Sequence, residues 1–137
     1  MDAPQTVALW AGMALGLASA LAALYGRYRD LPDWLAGGAS CPASVTCQEV
    51  FRTPRAAVLG VPNALLASAF YPLVAIGLQR GWPLAWLLGA ASLALALSVF
   101  LGGSLISRNL TCRICWAGHW ANLAIWGVLL ARWLSEG

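Results

Sequence analysis

Residues 82–106 have the sequence "WPLAWLLGAASLALALSVFLGGSLI", which contains no Asp, Glu, Lys, Arg or His. A bilayer core of about 30 Å is crossed by about 20 apolar residues in a helix, so this stretch is long enough to span a membrane. The composition of the whole chain is also that of a membrane protein: 61% of its 137 residues are hydrophobic, 9% are charged and the mean hydropathy is +0.73. A soluble domain of this size needs a more polar surface. The sequence therefore predicts an integral membrane protein.

Three further stretches qualify as spans, which gives predicted spans at about 7–26, 61–78, 82–106 and 112–134. The predicted fold is all-α, a four-transmembrane-helix bundle that forms a single domain over residues 1–137. Residues 27–60 are a long loop between the first two spans, and long loops inside compact domains are commonly functional. Apolar and Arg residues mix in 48–60, which predicts a short helix on the membrane surface.

Two pairs of cysteines stand out, Cys41 with Cys47 and Cys112 with Cys115. With four spans, the long loop and the connection before the last span emerge on the same face, so the pairs can meet. Cys112 and Cys115 form a C-x-x-C motif at a predicted helix start, where backbone amides favour a thiolate. Cys41 and Cys47 enclose five loop residues, a spacing that allows a small disulfide. Exposed disulfides of this kind exchange readily.

Other interpretations of the cysteines exist. Buried free cysteines often serve as small apolar residues. Four thiolates can also bind zinc, although the spacing of Cys41 and Cys47 is wide for such a site. The redox interpretation is favoured, and no metal is predicted.

Polar residues lie within the predicted spans. Cys115, His119 and Asn122 are spaced i, i+4, i+7 and share one helix face, and Asn63 opens the second span. Polar groups at membrane depth usually face the bundle interior or a ligand. For Asn122 an interhelical hydrogen bond is favoured. For Asn63 and His119 a ligand is favoured, namely a quinone, which is a lipid-soluble electron acceptor whose carbonyl oxygens accept hydrogen bonds.

At this point the chain resembles the vitamin K epoxide reductase family, the four-helix thiol–quinone oxidoreductases of membranes. The matching stretches occur in family order and are "CPASVTC" (41–47), "EVF" (49–51), "LGVPNALLASAFY" (59–71) and "CRIC" (112–115). The resemblance covers about residues 7–134.

The resemblance implies a role for each matching residue. Cys112 and Cys115 correspond to the active-site dithiol, with Cys115 facing the quinone, and Cys41 and Cys47 correspond to a shuttle pair. Asn63 matches the Asn that donates a hydrogen bond to a quinone carbonyl. The other residues assigned to the quinone site are Phe51, Thr53, Tyr71, His119 and Asn122.

Two of these positions depart from the family pattern. Thr53 lies where many members have Ser. His119 lies where many members have Tyr as the second carbonyl donor, and a neutral imidazole donates with a different reach.

The resemblance also implies how the protein works. Electrons pass from a thioredoxin-like partner through both cysteine pairs to ubiquinone or menaquinone, which supports disulfide formation in other proteins. The chain carries no thioredoxin-like domain before its end at Gly137, so a separate partner protein is expected. A monomer in membrane lipid is expected. No nucleic-acid partner is expected, because the net charge of +3 is too small and too scattered to suggest one.

Three alternatives remain open at this point. The protein could reduce a quinone or quinone epoxide for its own sake, with the dithiol as mere donor. A different class is a membrane protein that binds a metal through Cys and His119, and a third is a purely structural tetraspan.

The orientation is ambiguous for a multi-pass protein of the cell (inner) membrane. The family's usual placement puts the cysteine face outside the cytoplasm, where disulfides persist. Arg residues normally mark the cytoplasmic side, and here they favour the opposite, cytoplasm-facing placement. The cysteine face carries Arg27, Arg29, Arg52, Arg55, Arg108 and Arg113, whereas the other face carries Arg80 and Arg132. The extracytoplasmic placement is favoured, since Arg near a redox site can serve its thiolates.

Overall fold

The computed structural model describes residues 2–29, 57–58, 61–107 and 113–136. In that part of the chain four long helices occur: α1 (Ala3–Tyr28), α2 (Asn63–Arg80), α3 (Leu84–Ser107) and α4 (Arg113–Glu136). Each helix covers one predicted span, with ends that differ from the prediction by a few residues. The helical fold class is therefore confirmed for the described residues.

Three of the described helices are long and apolar enough to cross a membrane. They are Ala3–Tyr28, Leu84–Ser104 and Ile114–Glu136, with mean hydropathies of 2.0, 2.2 and 1.3. Large side chains of α3 also face away from the other helices, since Leu93 is 76% and Val99 68% exposed. Such a surface suits lipid rather than water. The protein is thus a multi-pass membrane protein.

Helix α2 is the shortest of the four, and it is not among the three helices above. Asn63 begins it, Gln79 and Arg80 end it, and it has 18 residues. At 1.5 Å per residue its length is about 27 Å, close to the thickness of the hydrocarbon core. Its polar ends would then lie at the two surfaces of the bilayer.

Helices α1 and α4 run antiparallel in close contact. A Cβ atom at Gly12 would lie 3.3 Å from Cγ1 of Ile125, and one at Gly118 would lie 3.8 Å from Cβ of Ser19. A step from Gly12 to Ser19 along α1 is thus matched by an equal step backwards along α4. Small residues at these positions let the two helices approach closely, as in membrane helix pairs generally.

Helices α3 and α4 are antiparallel as well, because Asn122 donates to Ser98 whereas Trp126 donates to Ser92. The end of α1, the start of α2, the end of α3 and the start of α4 therefore lie together. We call this the cysteine end, because Cys115 lies in the first turn of α4. The opposite end holds the start of α1, the α2–α3 turn and the end of α4.

Close packing is concentrated in the half of the bundle away from the cysteine end. The largest fully buried side chains of the described residues are Leu9, Val74, Ile125 and Leu129. Each belongs to the half of its helix that is nearer the opposite end. The packed half fixes the helices relative to one another, so that the polar residues of the other half are held in place.

The turn between α2 and α3 is stabilised by a glycine in the left-handed region. Gly81 has φ +70°, and its N–H donates to the carbonyl oxygen of Leu78 while that of Trp82 donates to Gly77. This pair of hydrogen bonds is the Schellman arrangement, which terminates a helix and favours Gly at this position. The turn brings Trp82 and Leu87 against Gly77, which places α3 beside α2.

Two short strands precede α2, and the first lies in the segment for which the sequence predicts a surface helix. Ala57–Val58 (β1) pairs antiparallel with Val61–Pro62 (β2). The predicted surface helix over 48–60 is therefore wrong for residues 57–58, where a two-residue extended pair is too short to produce a periodic pattern in the sequence. The rest of the predicted helix, residues 48–56 and 59–60, lies outside the described residues.

Candidate functional site

The structure describes half of the predicted site residues. Asn63 and Tyr71 lie on α2, and Cys115, His119 and Asn122 lie on α4. The others lie outside the described residues: Cys41, Cys47, Phe51, Thr53 and Cys112.

Cys115 is the third residue of α4 and is half-buried. The preceding residue, Ile114, is 6% exposed and faces the interior of the bundle. The first turn of a helix has backbone N–H groups that lack partners within the helix, and these favour negative charge nearby. Cys115 thus places a half-buried thiol in the first turn of α4, at the cysteine end of the bundle.

His119 lies one turn deeper in the bundle than Cys115. Its ring packs edge-to-face on Trp116, with ring centroids 5.8 Å apart and an interplanar angle of 90°. Both rings lie against Gly102 of α3, where an added Cβ would be 3.8 Å from Cδ2 of His119. Nε2 of His119 is buried and has no hydrogen-bond partner among the residues that the structure describes.

A buried polar atom without a partner costs about 1–3 kcal/mol, so such atoms in native proteins need an explanation. The imidazole of His119 can donate or accept through Nε2, depending on its tautomer. A ligand oxygen beside this atom would satisfy it.

Asn63 is the first residue of α2 and lies at the cysteine end. It is half-buried, and its Oδ1 atom is fully buried. Pro62 precedes it with φ −57° and ψ 134°, so the chain changes from extended to helical at Asn63. The start of α2 thus places a carboxamide, which carries two N–H donors, at the cysteine end.

Tyr71 and Asn122 form a separate polar network in the middle of the bundle. Tyr71 Oη donates to Asn122 Oδ1 at 2.5 Å, and Asn122 Nδ2 donates to Ser98 Oγ at 2.6 Å. Three helices are thereby joined. Tyr71 is 3% and Ser98 5% exposed. The interhelical interpretation that the sequence favoured for Asn122 is therefore confirmed.

Two residues of this arrangement were not singled out by the sequence. Ser98 is one of a few hydroxyl residues in a long apolar span. It is far from Asn122 in the sequence, and no sequence pattern indicates that the two residues form a hydrogen bond. Gly16 faces the ring of Tyr71, where an added Cβ would collide with the ring. The small residues in "GMALGLASA" (12–20) indicate close helix packing but do not name the partner.

Among the described residues, no group of three His, Cys, Asp or Glu side chains could hold a metal ion. Three of the four cysteines are outside that part of the chain, so this observation concerns α4 and its neighbours alone.

Comparison with known families identifies the chain's relatives. The family model described as "Vitamin K epoxide reductase family" matches residues 7–130. The chain belongs to this family. No curated protein and no solved structure matches it. Membership of the vitamin K epoxide reductase family makes the protein a membrane oxidoreductase that acts through thiol redox chemistry on a quinone or quinone epoxide.

The described residues fit a quinone in chemical terms. A quinone presents two carbonyl oxygens on a flat apolar ring and needs hydrogen-bond donors at both. An imidazole with a buried Nε2 atom and a carboxamide at the same end of the bundle are suitable groups. The Trp116 ring provides apolar surface beside the imidazole.

Proposed function

We propose that the protein is a thiol–quinone oxidoreductase that takes electrons from a thioredoxin-like partner and delivers them to ubiquinone or menaquinone. In the net reaction the partner's dithiol loses two electrons and two protons and becomes a disulfide. The quinone accepts both electrons and both protons and carries them away within the lipid. Disulfide formation in other proteins is the proposed physiological result.

The arrangement of Cys115 and His119 on one face of α4 is the observation that carries this proposal. The thiol is half-buried in the first turn, and the buried Nε2 atom lies one turn deeper. A ring bound between α2 and α4 would meet sulfur at one side and the imidazole at one carbonyl oxygen. Asn63, at the start of α2, would donate to the other carbonyl oxygen.

The proposed relay uses all four cysteines. The partner's thiolate attacks the Cys41–Cys47 disulfide at Cys41 and releases Cys47, and the partner's second thiol then displaces Cys41, so that the partner leaves as a disulfide. Cys47 attacks the Cys112–Cys115 disulfide at Cys112 and frees Cys115 as a thiolate, and Cys41 then displaces Cys112 and re-forms the Cys41–Cys47 disulfide. Finally the Cys112–Cys115 dithiol gives two electrons and two protons to the quinone, which leaves as the quinol, and the Cys112–Cys115 disulfide forms again. Each step is a thiol–disulfide exchange, which proceeds faster when the leaving thiol has a low pKa.

We further propose that all four helices span the membrane and that the cysteine end faces outside the cytoplasm. Helix α2 packs against α1 within the bundle, and its polar ends are about 27 Å apart, so it would cross the bilayer with the other three. In intact cells, a membrane-impermeant thiol reagent should then label the cysteine end. Labelling only after the cells are opened would place that end in the cytoplasm.

The relay is tested by supplying electrons at two different points. Dithiothreitol is small and should reduce Cys112–Cys115 directly, whereas reduced thioredoxin should require Cys41 and Cys47. Reduction of a short-chain ubiquinone by the purified protein should therefore be lost with either donor in Cys112→Ala. Cys47→Ala should lose activity with reduced thioredoxin as the donor and keep activity with dithiothreitol.

Ser92→Ala is the matched control, since Ser92 lies on α3 towards the opposite end and bonds to Trp126. It should keep activity with both donors. If Cys112→Ala kept its rate of quinone reduction, the relay would be wrong.

A further inference from the structure

A cleft of about 200 Å³ opens at the opposite end of the bundle. Residues of α1, α2 and α4 form its walls: Thr6, Leu9, Trp10, Leu78, Gln79 and Arg132. Along α4, Arg132 follows Cys115 by about 25 Å of helix rise. The cleft is therefore separate from the candidate redox site.

The walls of the cleft are amphipathic. Leu9 is 1% exposed and forms apolar surface inside the cleft together with Leu78, and Trp10 is 41% exposed beside them. Gln79 and Arg132 add polar groups from the ends of α2 and α4. Tryptophan and arginine at the end of a membrane helix are typical of the lipid–water boundary.

The guanidinium of Arg132 retains donors for a ligand. Its Nε atom donates to Oε1 of Glu136 at 3.0 Å, and this is its one side-chain partner among the described residues. A guanidinium has five N–H donors in a planar fork, so both Nη groups remain. Two parallel N–H donors match the oxygens of a phosphate.

We propose that this cleft binds the phosphodiester of a membrane phospholipid. The phosphate accepts hydrogen bonds from Arg132 and Gln79, and the glycerol and the first carbons of the acyl chains lie against Leu78 and Trp10. A lipid is favoured over free phosphate because apolar surface borders the cationic group directly. Glu136 weakens the site, since it occupies Nε of Arg132 and repels an anion.

Three substitutions that each remove one charge at this end of the bundle test the site. Arg132→Gln removes the charged guanidinium and its paired donors, Glu136→Gln removes the competing carboxylate, and Arg80→Gln removes a cation that does not line the cleft. The full chain in detergent is titrated with dioleoylphosphatidylglycerol, and native mass spectrometry measures how much lipid is retained. Dioleoylglycerol, which has the same chains without a phosphate, serves as the second ligand.

Arg132→Gln is expected to weaken retention of the phospholipid about tenfold, the effect of losing charge-assisted hydrogen bonds. Glu136→Gln should strengthen retention, and Arg80→Gln should leave it unchanged. Gln79→Leu, at an exposed position, should weaken it to a smaller degree and provides a test that keeps the arginine.

Three results would overturn the proposal. Equal retention of dioleoylglycerol would show that the chains bind without the phosphate. Equal losses in Arg132→Gln and Arg80→Gln would show general attraction by positive charge. Displacement of the lipid by inorganic phosphate at similar concentration would make the cleft a site for free anions.

Discussion

Tyr71 of α2 and Asn122 of α4 are joined by a hydrogen bond of 2.5 Å in the middle of the bundle. The residues are 51 positions apart in sequence, so this bond ties together two helices that the chain connects only through α3. Asn122 in turn donates a hydrogen bond to Ser98 of α3. The network lies between the tightly packed half of the bundle and the cysteine end, so it fixes how α4 presents Cys115 and His119.

Tyr71→Phe tests the strength of this bond. The phenyl ring keeps the packing, but Asn122 Oδ1 loses its donor while it stays buried. We expect the variant to lose about 1 kcal/mol of unfolding free energy, within the range for interhelical hydrogen bonds in membranes. Thermal unfolding in detergent measures this. Tyr25→Phe is the control, because Tyr25 is 54% exposed, and an equal loss in both variants would contradict the prediction.

Gly16→Ala tests the close approach of Tyr71 to α1. A Cβ at Gly16 would lie 2.8 Å from Oη of Tyr71 and nearer still to its ring, so the ring or the helix must shift. Overpacking of this kind costs about 1–3 kcal/mol. Gly89→Ala is the matched control, since nothing lies within 4 Å of the added Cβ. The melting temperature should fall only for Gly16→Ala.

Asn122→Ala separates a structural role from a ligand role. The substitution leaves Tyr71 Oη and Ser98 Oγ without their partner, so we expect a loss of about 1–2 kcal/mol in stability. The quinone KM should stay near that of the unmodified protein when measured well below the melting temperature. A large rise in KM without loss of stability would instead assign Asn122 to the quinone.

The four helices could be predicted because each is a long apolar run, and such runs leave few alternatives in a membrane. Their antiparallel order followed from the number of spans. The partners of Tyr71 and Gly16 could not be predicted, because the rotation of each helix about its axis depends on packing with residues distant in sequence. The pairing of Ala57–Val58 with Val61–Pro62 was missed because two-residue strands show no alternation.

The candidate site also has features that could be predicted from the sequence and features that could not. The spacing of Cys115, His119 and Asn122 placed all three on one face of α4, but it could not tell which would find partners within the bundle. The structure separates them: Asn122 is hydrogen-bonded to two other helices, whereas Nε2 of His119 is buried with no partner among the described residues. That difference, which needs coordinates, distinguishes a structural group from a candidate ligand group.

His119→Leu tests the candidate ligand group directly. Leucine keeps an apolar side chain beside Trp116 and removes both ring nitrogens, and no hydrogen bond within the described residues is lost with Nε2. The quinone KM should therefore rise about tenfold, the effect of losing one hydrogen bond to a buried oxygen, while the melting temperature stays the same or increases. His119→Tyr restores a donor of the kind that many family members carry and should recover much of the affinity. Trp120→Leu, at a position that is 63% exposed on the same helix, is the control and should leave KM unchanged. If His119→Leu bound quinone as well as the unmodified protein, the imidazole would not be a ligand.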